Sequence, residues 1–262
     1  MSLPYSLVGR SSERKQSMSQ TTNIMGISFP NLTMEQTVTI LGDVVDQRST
    51  ELFQVITGNP EIVMSCQKNQ TLRAIVDQAG LVTADGAGIV MVSRFRGGQL
   101  TERVTGCDLL FRLLEEGNRK SWSFYLLGAE EKVSKRAAEV IEENYPGVIV
   151  SGRHHGFFST DEEEHIVEEI RNAQPDFLIV ALGAPNAEHW IDKHRHLLNA
   201  RVAIGVGGSL DIVAGKTKRA PASWQKLNLE WLYRLLSQPS RWRRQLILPR
   251  FAVRALLFRE QK

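Results

Sequence analysis

Cysteine is nearly absent from this sequence, and the two that occur, Cys66 and Cys107, lie too far apart for a metal or redox motif. Both are expected to be reduced, structural thiols. Long apolar runs are missing as well. A bilayer span needs about 20 consecutive apolar residues; the best run here, Phe177 to Ala184, is far shorter and reads as a buried strand. The first 22 residues are rich in Ser, Gln, Arg and Lys and lack the apolar core of a secretion signal, which predicts a cytoplasmic protein with a loose N-terminal tail. None of the nine aspartates is separated from another by a single residue, so the D-x-D metal clamp is not encoded. No G-x-G-x-x-G occurs either, which removes the dinucleotide fingerprint.

What is present is an ordinary globular composition, 42% hydrophobic and 23% charged, long enough for one sizeable α/β domain with an appendage or for two small domains. The net charge of +3 conceals an asymmetry: residues 216–262 carry 12 basic and 2 acidic side chains, leaving 20 of the 32 basic and 27 of the 29 acidic ones for residues 1–215. A basic tail behind an acidic body suits an anionic partner, either a lipid surface or a nucleic acid.

From Asn23 onward short apolar runs alternate with helical patterns, the signature of a mostly parallel sheet with helices on both faces, Rossmann-like in class. The predicted strands are Ile24 to Ser28, Leu52 to Thr57, Leu81 to Thr83, Ser123 to Gly128, Val148 to Gly152, Asp176 to Leu182 and Val202 to Val206. Several are continuously apolar, as strands covered on both faces should be. Thr33-Met34-Glu35-Gln36 has the form of a capping box, Glu130 to Tyr145 has helical spacing before Pro146-Gly147, and Asp161 to Ala173 is a further helix. After Gly215 the pattern turns to consecutive helices. The expected organisation is a tail (1–22), an α/β core (23–215) and a basic helical appendage (216–262).

Open parallel sheets bind ligands beyond the carboxyl ends of their strands, and small or polar residues cluster there. Asp85, in Thr83-Ala84-Asp85-Gly86, follows a short strand. It can act as a general base toward a hydroxyl or, more blandly, as the N-cap of the next helix. Gly205-Val206-Gly207-Gly208-Ser209 is a glycine-rich strand-to-helix turn that presents backbone N–H groups to a phosphate, though tight α/β turns need glycine on steric grounds alone. Phe157 can stack on a base or simply belong to the core. His154, His155, Glu163 and Glu164 have no convincing ligand geometry, and no metal site is expected. In the tail, Arg241-Trp242-Arg243-Arg244 runs on to Arg250, Phe251, Arg254, Leu257 and Phe258, interleaving basic with large apolar groups. That suits an interfacial amphipathic helix; the alternative is an apolar stripe packed on the body beneath solvated arginines.

Taken in order, these pieces resemble the WecG/TagA/CpsF glycosyltransferase family, which makes lipid-linked precursors of bacterial surface polysaccharides. The matching segments are Thr57 with Asn59-Pro60-Glu61, Ala84-Asp85-Gly86, Glu102-Arg103-Val104-Thr105-Gly106 with Asp108-Leu109, Leu127-Gly128, His155-Gly156-Phe157-Phe158, Leu182-Gly183-Ala184-Pro185, Gly205-Val206-Gly207-Gly208 with Asp211, Lys218-Arg219-Ala220-Pro221, Leu229 to Leu235, and Gln238-Pro239-Ser240-Arg241. The likeness covers nearly everything from Ile24 onward. It implies an inverting, metal-independent transfer without a cofactor, from a UDP-sugar to a sugar on undecaprenyl pyrophosphate, by a peripheral protein on the inner face of the cytoplasmic membrane. It implies no nucleic-acid partner and leaves room for a homo-oligomer. Carried onto this chain, Asp85 resembles the catalytic base, with Thr57 beside it and Arg103 available for phosphate or transition-state charge. Arg234, Arg241 and Arg244 resemble groups that close over the site and hold pyrophosphate. Asn59, Thr105 and Gly128 fall among the substrate-binding positions, and Phe157, Gly207, Gly208 and Asp211 would surround the nucleotide.

One position departs from the family. After Gly183-Ala184-Pro185 a Gln-Glu pair is usual, whereas this chain reads Asn186-Ala187-Glu188. Alanine makes none of the hydrogen bonds of a glutamine amide, so the donor is expected to lack the group that glutamine would hold, such as an N-acetyl. Two other readings compete: a non-catalytic nucleotide-binding module whose basic tail docks on a membrane or nucleic acid, and an α/β enzyme of another class, such as a methyltransferase or dehydrogenase, whose glycine and acidic signature is missing.

Overall fold

The structure is a computed structural model that describes residues 20–47, 51–226, 229–237, 242 and 246–258. The chain enters as an antiparallel hairpin, β1 (Thr21–Ile24) and β2 (Ile27–Pro30). This corrects the single strand expected at Ile24 to Ser28. The turn falls at Met25 and Gly26, both at positive φ (53° and 86°), as a two-residue hairpin turn requires. Asn23 Oδ1 accepts from the Gly26 N–H at 2.8 Å, yet the tip is buried: Ile24, Met25 and Ile27 all belong to the core, and Arg73 Nη2 donates to the Gly26 carbonyl at 2.8 Å. Of the expected tail, only residues 20–22 are described.

The body follows as α1 (Met34–Asp46), β3 (Phe53–Gly58), α2 (Pro60–Cys66), α3 (Gln70–Gln78), β4 (Leu81–Ala84), α4 (Ala87–Phe95), α5 (Gly106–Lys120), β5 (Ser123–Gly128), α6 (Glu131–Asn144), β6 (Ile149–His154), α7 (Thr160–Ala173), β7 (Phe177–Ala181), α8 (Asn186–His194), β8 (Val202–Gly205) and α9 (Ser209–Val213). The predicted box opens α1: Thr33 Oγ1 accepts from the Gln36 N–H at 3.2 Å while Gln36 Oε1 accepts from the Thr33 N–H at 2.9 Å. Strands β3 to β8 form one parallel sheet in the order β4-β3-β8-β7-β5-β6.

Alternation along each strand divides the core. Val55, Leu126, Ile179 and Ile204 face a cluster with α1, α5, α6 and α9. Ile56 faces α2, α3 and α4 on the other side, where Leu127, Val180 and Ala203 pack on α7 and α8. The helix after β3 therefore covers one face and the helix after β8 the other. The crevice between the carboxyl ends of these neighbours is a topological switch point, the place where open α/β sheets take ligands.

Three further helices follow, α10 (Ala222–Lys226), α11 (Glu230–Ser237) and α12 (Ile247–Leu257). The last places part of the tail's apolar stripe on the body. Phe251 and Ala255 are buried in the cluster beneath α2 and α4, while Val253, Leu256 and Leu257 stay exposed. No described helix is long and apolar enough to cross a membrane.

Candidate active site at the carboxyl edge of the sheet

Thr57 and Asp85 come together because β3 and β4 run in parallel register, Thr57 opposite Thr83 and Gly58 opposite Ala84. One step beyond the ladder, the Asp85 N–H donates to the Gly58 carbonyl at 3.1 Å. Thr57, at the end of a wholly buried strand, reaches across the crevice: its Oγ1 donates to the Gly205 carbonyl of β8 at 3.1 Å.

Asp85 is not the cap of the helix that follows it. The N-cap of α4 is Gly86, which makes no side-chain cap hydrogen bond. Gly86 has φ +106°, open to glycine and strained for other residues, and that turn releases the carboxylate from α4. Asp85 Oδ2 instead accepts from the Gly106 N–H, the first of α5, at 3.3 Å. The segment before α5 is pinned to the same edge by the Val104 N–H donating to the Ala84 carbonyl at 3.0 Å. A β-carbon on Gly106 would lie 3.0 Å from Thr57 Cγ2, so the α5 N-terminus is seated directly on the Thr57–Asp85 pair. That helix end, with its aligned N–H groups, favours negative charge close by.

Around this pair, Thr105 and Asn59 do structural work. Thr105 caps α5, accepting from the Asp108 N–H at 3.1 Å and donating to Asp108 Oδ2 at 2.7 Å. Asn59 caps α2, its Oδ1 accepting from the Ile62 N–H at 3.0 Å. Asp108 also pairs with Arg219. Arg103 is engaged too: its Nη1 lies 3.2 Å from Glu230 Oε2 of α11, and both side chains are largely buried. This pairing, invisible in the sequence, fastens the C-terminal segment to the rim of the site. Arg234 falls on α11, but its side chain lies outside the described residues, as do Arg241 and Arg244 altogether.

Gly128, Phe157, Gly207, Gly208 and Asp211 occupy the same edge beyond β5, β6 and β8. A β-carbon on Gly128 would lie 2.5 Å from the Ala181 carbonyl, so this turn has no room for a side chain. Phe157 is 77% exposed, which overturns its core reading and leaves the ring open to a planar partner. The glycine-rich turn leads into α9, which is only five residues long, so the helix-end argument made for it is weak. Asp211 lies 3.5 Å from Lys216, which in turn meets Glu130 at 2.8 Å. His154 and His155 are accounted for by each other: their rings lie 4.5 Å apart, and His154 Nδ1 sits 2.9 Å from the His155 carbonyl.

Sequence reasoning passed over Glu188 as a site residue. It stands in the first turn of α8, 3% exposed, and a β-carbon on Gly205 would meet its Oε1 at 2.9 Å. Its Oε2 has no hydrogen-bond partner among the described residues. Burial, reinforced by Glu61, pushes its pKa up to about 7. Its place two residues after the Pro185-Asn186 step was the available signal; its depth was not. Ala187 is also buried, its β-carbon beside Gly205. A separate groove of about 410 Å³, lined by Asp46, Lys120, Trp122, Asp176 and Arg201, lies at the opposite, amino end of the strands.

Comparison with known proteins places the chain among its relatives. At 37% identity over 77% of this chain and 78% of its own length, a Bacillus spizizenii protein is named N-acetylglucosaminyldiphosphoundecaprenol N-acetyl-beta-D-mannosaminyltransferase. Proteins of the same name from Bacillus subtilis (34% identity, 90% of this chain and 91% of theirs) and Staphylococcus aureus (35%, 82% and 84%) are also similar. The family model described as glycosyl transferase WecG/TagA/CpsF family matches residues 22–262. With that match running through the hairpin, the Asp85 edge and the helices that cover it, the chain belongs to the WecG/TagA/CpsF family of glycosyltransferases.

Proposed function

We propose that this glycosyltransferase moves a hexose from a UDP-sugar, with inversion and without a metal, onto a sugar carried by undecaprenyl diphosphate, while bound peripherally to the inner face of the cytoplasmic membrane. The observation that carries the reading is the Asp85 carboxylate, held by the Gly106 N–H beside Thr57 at the carboxyl edge next to the β3/β8 crevice. In a single displacement Asp85 takes the proton of the acceptor hydroxyl as its oxygen attacks the anomeric carbon, and the bond to UDP breaks on the opposite side. Charge developing on the departing diphosphate meets Arg103 and backbone N–H groups. A guanidinium has five donors, so Arg103 can keep Glu230 and still bind a diphosphate oxygen; Arg234, Arg241 and Arg244 add further cations from the C-terminal segment. Phe157, Gly207, Gly208 and Asp211 hold the nucleoside, with the exposed Phe157 ring stacking on the base. The names of the relatives, which specify transfer to an undecaprenyl-diphosphate-linked sugar, support the acceptor class.

The test is to incubate the purified chain with labelled UDP-hexoses, with and without a prenyl-diphosphate-linked sugar, measuring free UDP and the mass of the lipid product. Acceptor-dependent UDP release and a product heavier by one hexose are expected. Nucleotide binding without transfer would favour a non-catalytic binding module instead.

A further inference from the structure

Helix α4 begins two residues after Asp85, and α12 lies along it. A β-carbon on Gly88, near the start of α4, would sit 3.7 Å from Phe251 Cδ1. At the other end Arg96 Nη1 donates to the Ala255 carbonyl at 2.9 Å. The two helices therefore run side by side in the same direction, each keeping apolar residues on its solvent side. On those faces Met91 and Phe95 of α4 and Val253, Leu256 and Leu257 of α12 are exposed, Phe95 and Leu257 each to 74%. Single exposed apolar residues are normal on a soluble protein, whereas a contiguous set marks an interaction surface.

Charge selects the partner. Neither Gly86–Leu100 nor Ile247–Phe258 contains an aspartate or glutamate, in a chain that has 29, while Arg94, Arg96, Arg250 and Arg254 are all there. A protein partner with an apolar patch would not require so complete an exclusion of one sign. Large apolar groups flanked by arginines, with acidic groups kept away, suit the headgroup region of an anionic bilayer.

We propose that α4 of the catalytic core and α12 of the C-terminal segment form one composite membrane face, so that the helix leaving the catalytic carboxylate itself rests on the bilayer. This rests on the lipid-linked acceptor proposed above and extends it by assigning a core element to the membrane. A nine-residue helix is about 14 Å long and Asp85 precedes it by two residues, which span at most about 7 Å, so Asp85 stands at most about 20 Å from the end of α4 that carries Phe95. The acceptor sugar, one diphosphate away from its lipid, is presented to a base held at a fixed height.

The full chain and the variants Met91→Ser/Phe95→Ser and Val253→Ser/Leu257→Ser are floated with vesicles of phosphatidylcholine alone or with 30% phosphatidylglycerol (a mixing ratio of roughly that order suffices for an anionic surface). Turnover is measured in parallel, without vesicles, on a short-chain water-soluble acceptor. Each pair of substitutions is expected to lower binding to the anionic vesicles about tenfold or more, with turnover on the soluble acceptor kept. Should the α4 variant bind like the parent while the α12 variant does not, the composite face is wrong and the proposed reaction stands. Loss of soluble-acceptor turnover by the parent would instead sink the reaction. As a check independent of these variants, Met91→Cys is labelled with an environment-sensitive dye, Cys66 and Cys107 being buried. Its emission should rise with anionic vesicles. No rise, or an apolar face occupied by a second copy in light scattering with no vesicle binding, overturns the proposal.

Discussion

Arg103 and Glu230, 127 residues apart, meet at 3.2 Å, and Glu230 is the more buried of the two. The pair joins the rim of the candidate site to α11, tying the C-terminal segment to that rim electrostatically. An ion pair this shielded is costly to break from one side, because the remaining charge loses its partner without regaining water. A double-mutant cycle with Arg103→Ala and Glu230→Ala should show a coupling of about 1 to 3 kcal/mol in unfolding free energy. Strict additivity would mean that the contact does not hold the segment in place.

Asp85→Asn should lower turnover by about 10²-fold or more, the scale of a lost general base. The asparagine carboxamide oxygen can still accept from the Gly106 N–H, so folding and UDP-sugar affinity should stay near those of the parent. Turnover within threefold (roughly the spread expected of a neutral change) would remove Asp85 from the mechanism.

Gly106→Ala tests the seating of α5. The new methyl meets Thr57 Cγ2 at 3.0 Å, which displaces the helix end by a few tenths of an ångström. Alanine is the better helix former, so stability should change by less than about 1 kcal/mol. Turnover should nonetheless fall by up to about tenfold, given that a misplacement of about 1 Å can cost a hundredfold. Unaltered kinetics at pH 7.5 (about two units or more above ordinary carboxylate pKa values) would mean that this contact does not position the base.

Glu188 makes stability depend on pH. Its folded pKa of about 7 lies above the 4.5 of an unburied glutamate, so the folded chain retains a proton that the unfolded chain releases across that interval. Stability from this group is fully present below about pH 4.5 and is lost as pH rises through 7, by about 3 kcal/mol in all. Glu188→Gln should abolish this component, leaving the variant relatively more stable than the parent at pH 8 than at pH 5 in thermal unfolding. A parent-to-variant difference that is constant across that range would contradict the assignment.

Donor choice is expected to turn on Ala187. With a methyl in place of the usual glutamine amide, we expect turnover with UDP-glucose or UDP-glucuronate. The relatives, by name, transfer N-acetylmannosamine, so exclusive use of UDP-N-acetylmannosamine in a donor panel would show that the lost amide does not set specificity.

Local pattern alone determined much of this protein. Continuous apolar runs marked β7 and β8, because strands covered on both faces must be apolar throughout, and Thr33 with Gln36 announced the start of α1 through hydrogen bonds spanning three residues. The order of small and polar segments after the strands located Thr57, Asp85 and the glycine turns at one edge. Tertiary structure decided the rest. The Met25-Gly26 turn can be buried because Arg73, 47 residues away, satisfies its carbonyl. Asp85 serves α5 instead of α4, Glu188 is sealed beneath Gly205, and Phe251 is drawn into the core while its neighbours on α12 are left outside. Such outcomes depend on which faces the sheet order brings together, and burial or pairing across more than a hundred residues leaves no periodic trace in a sequence.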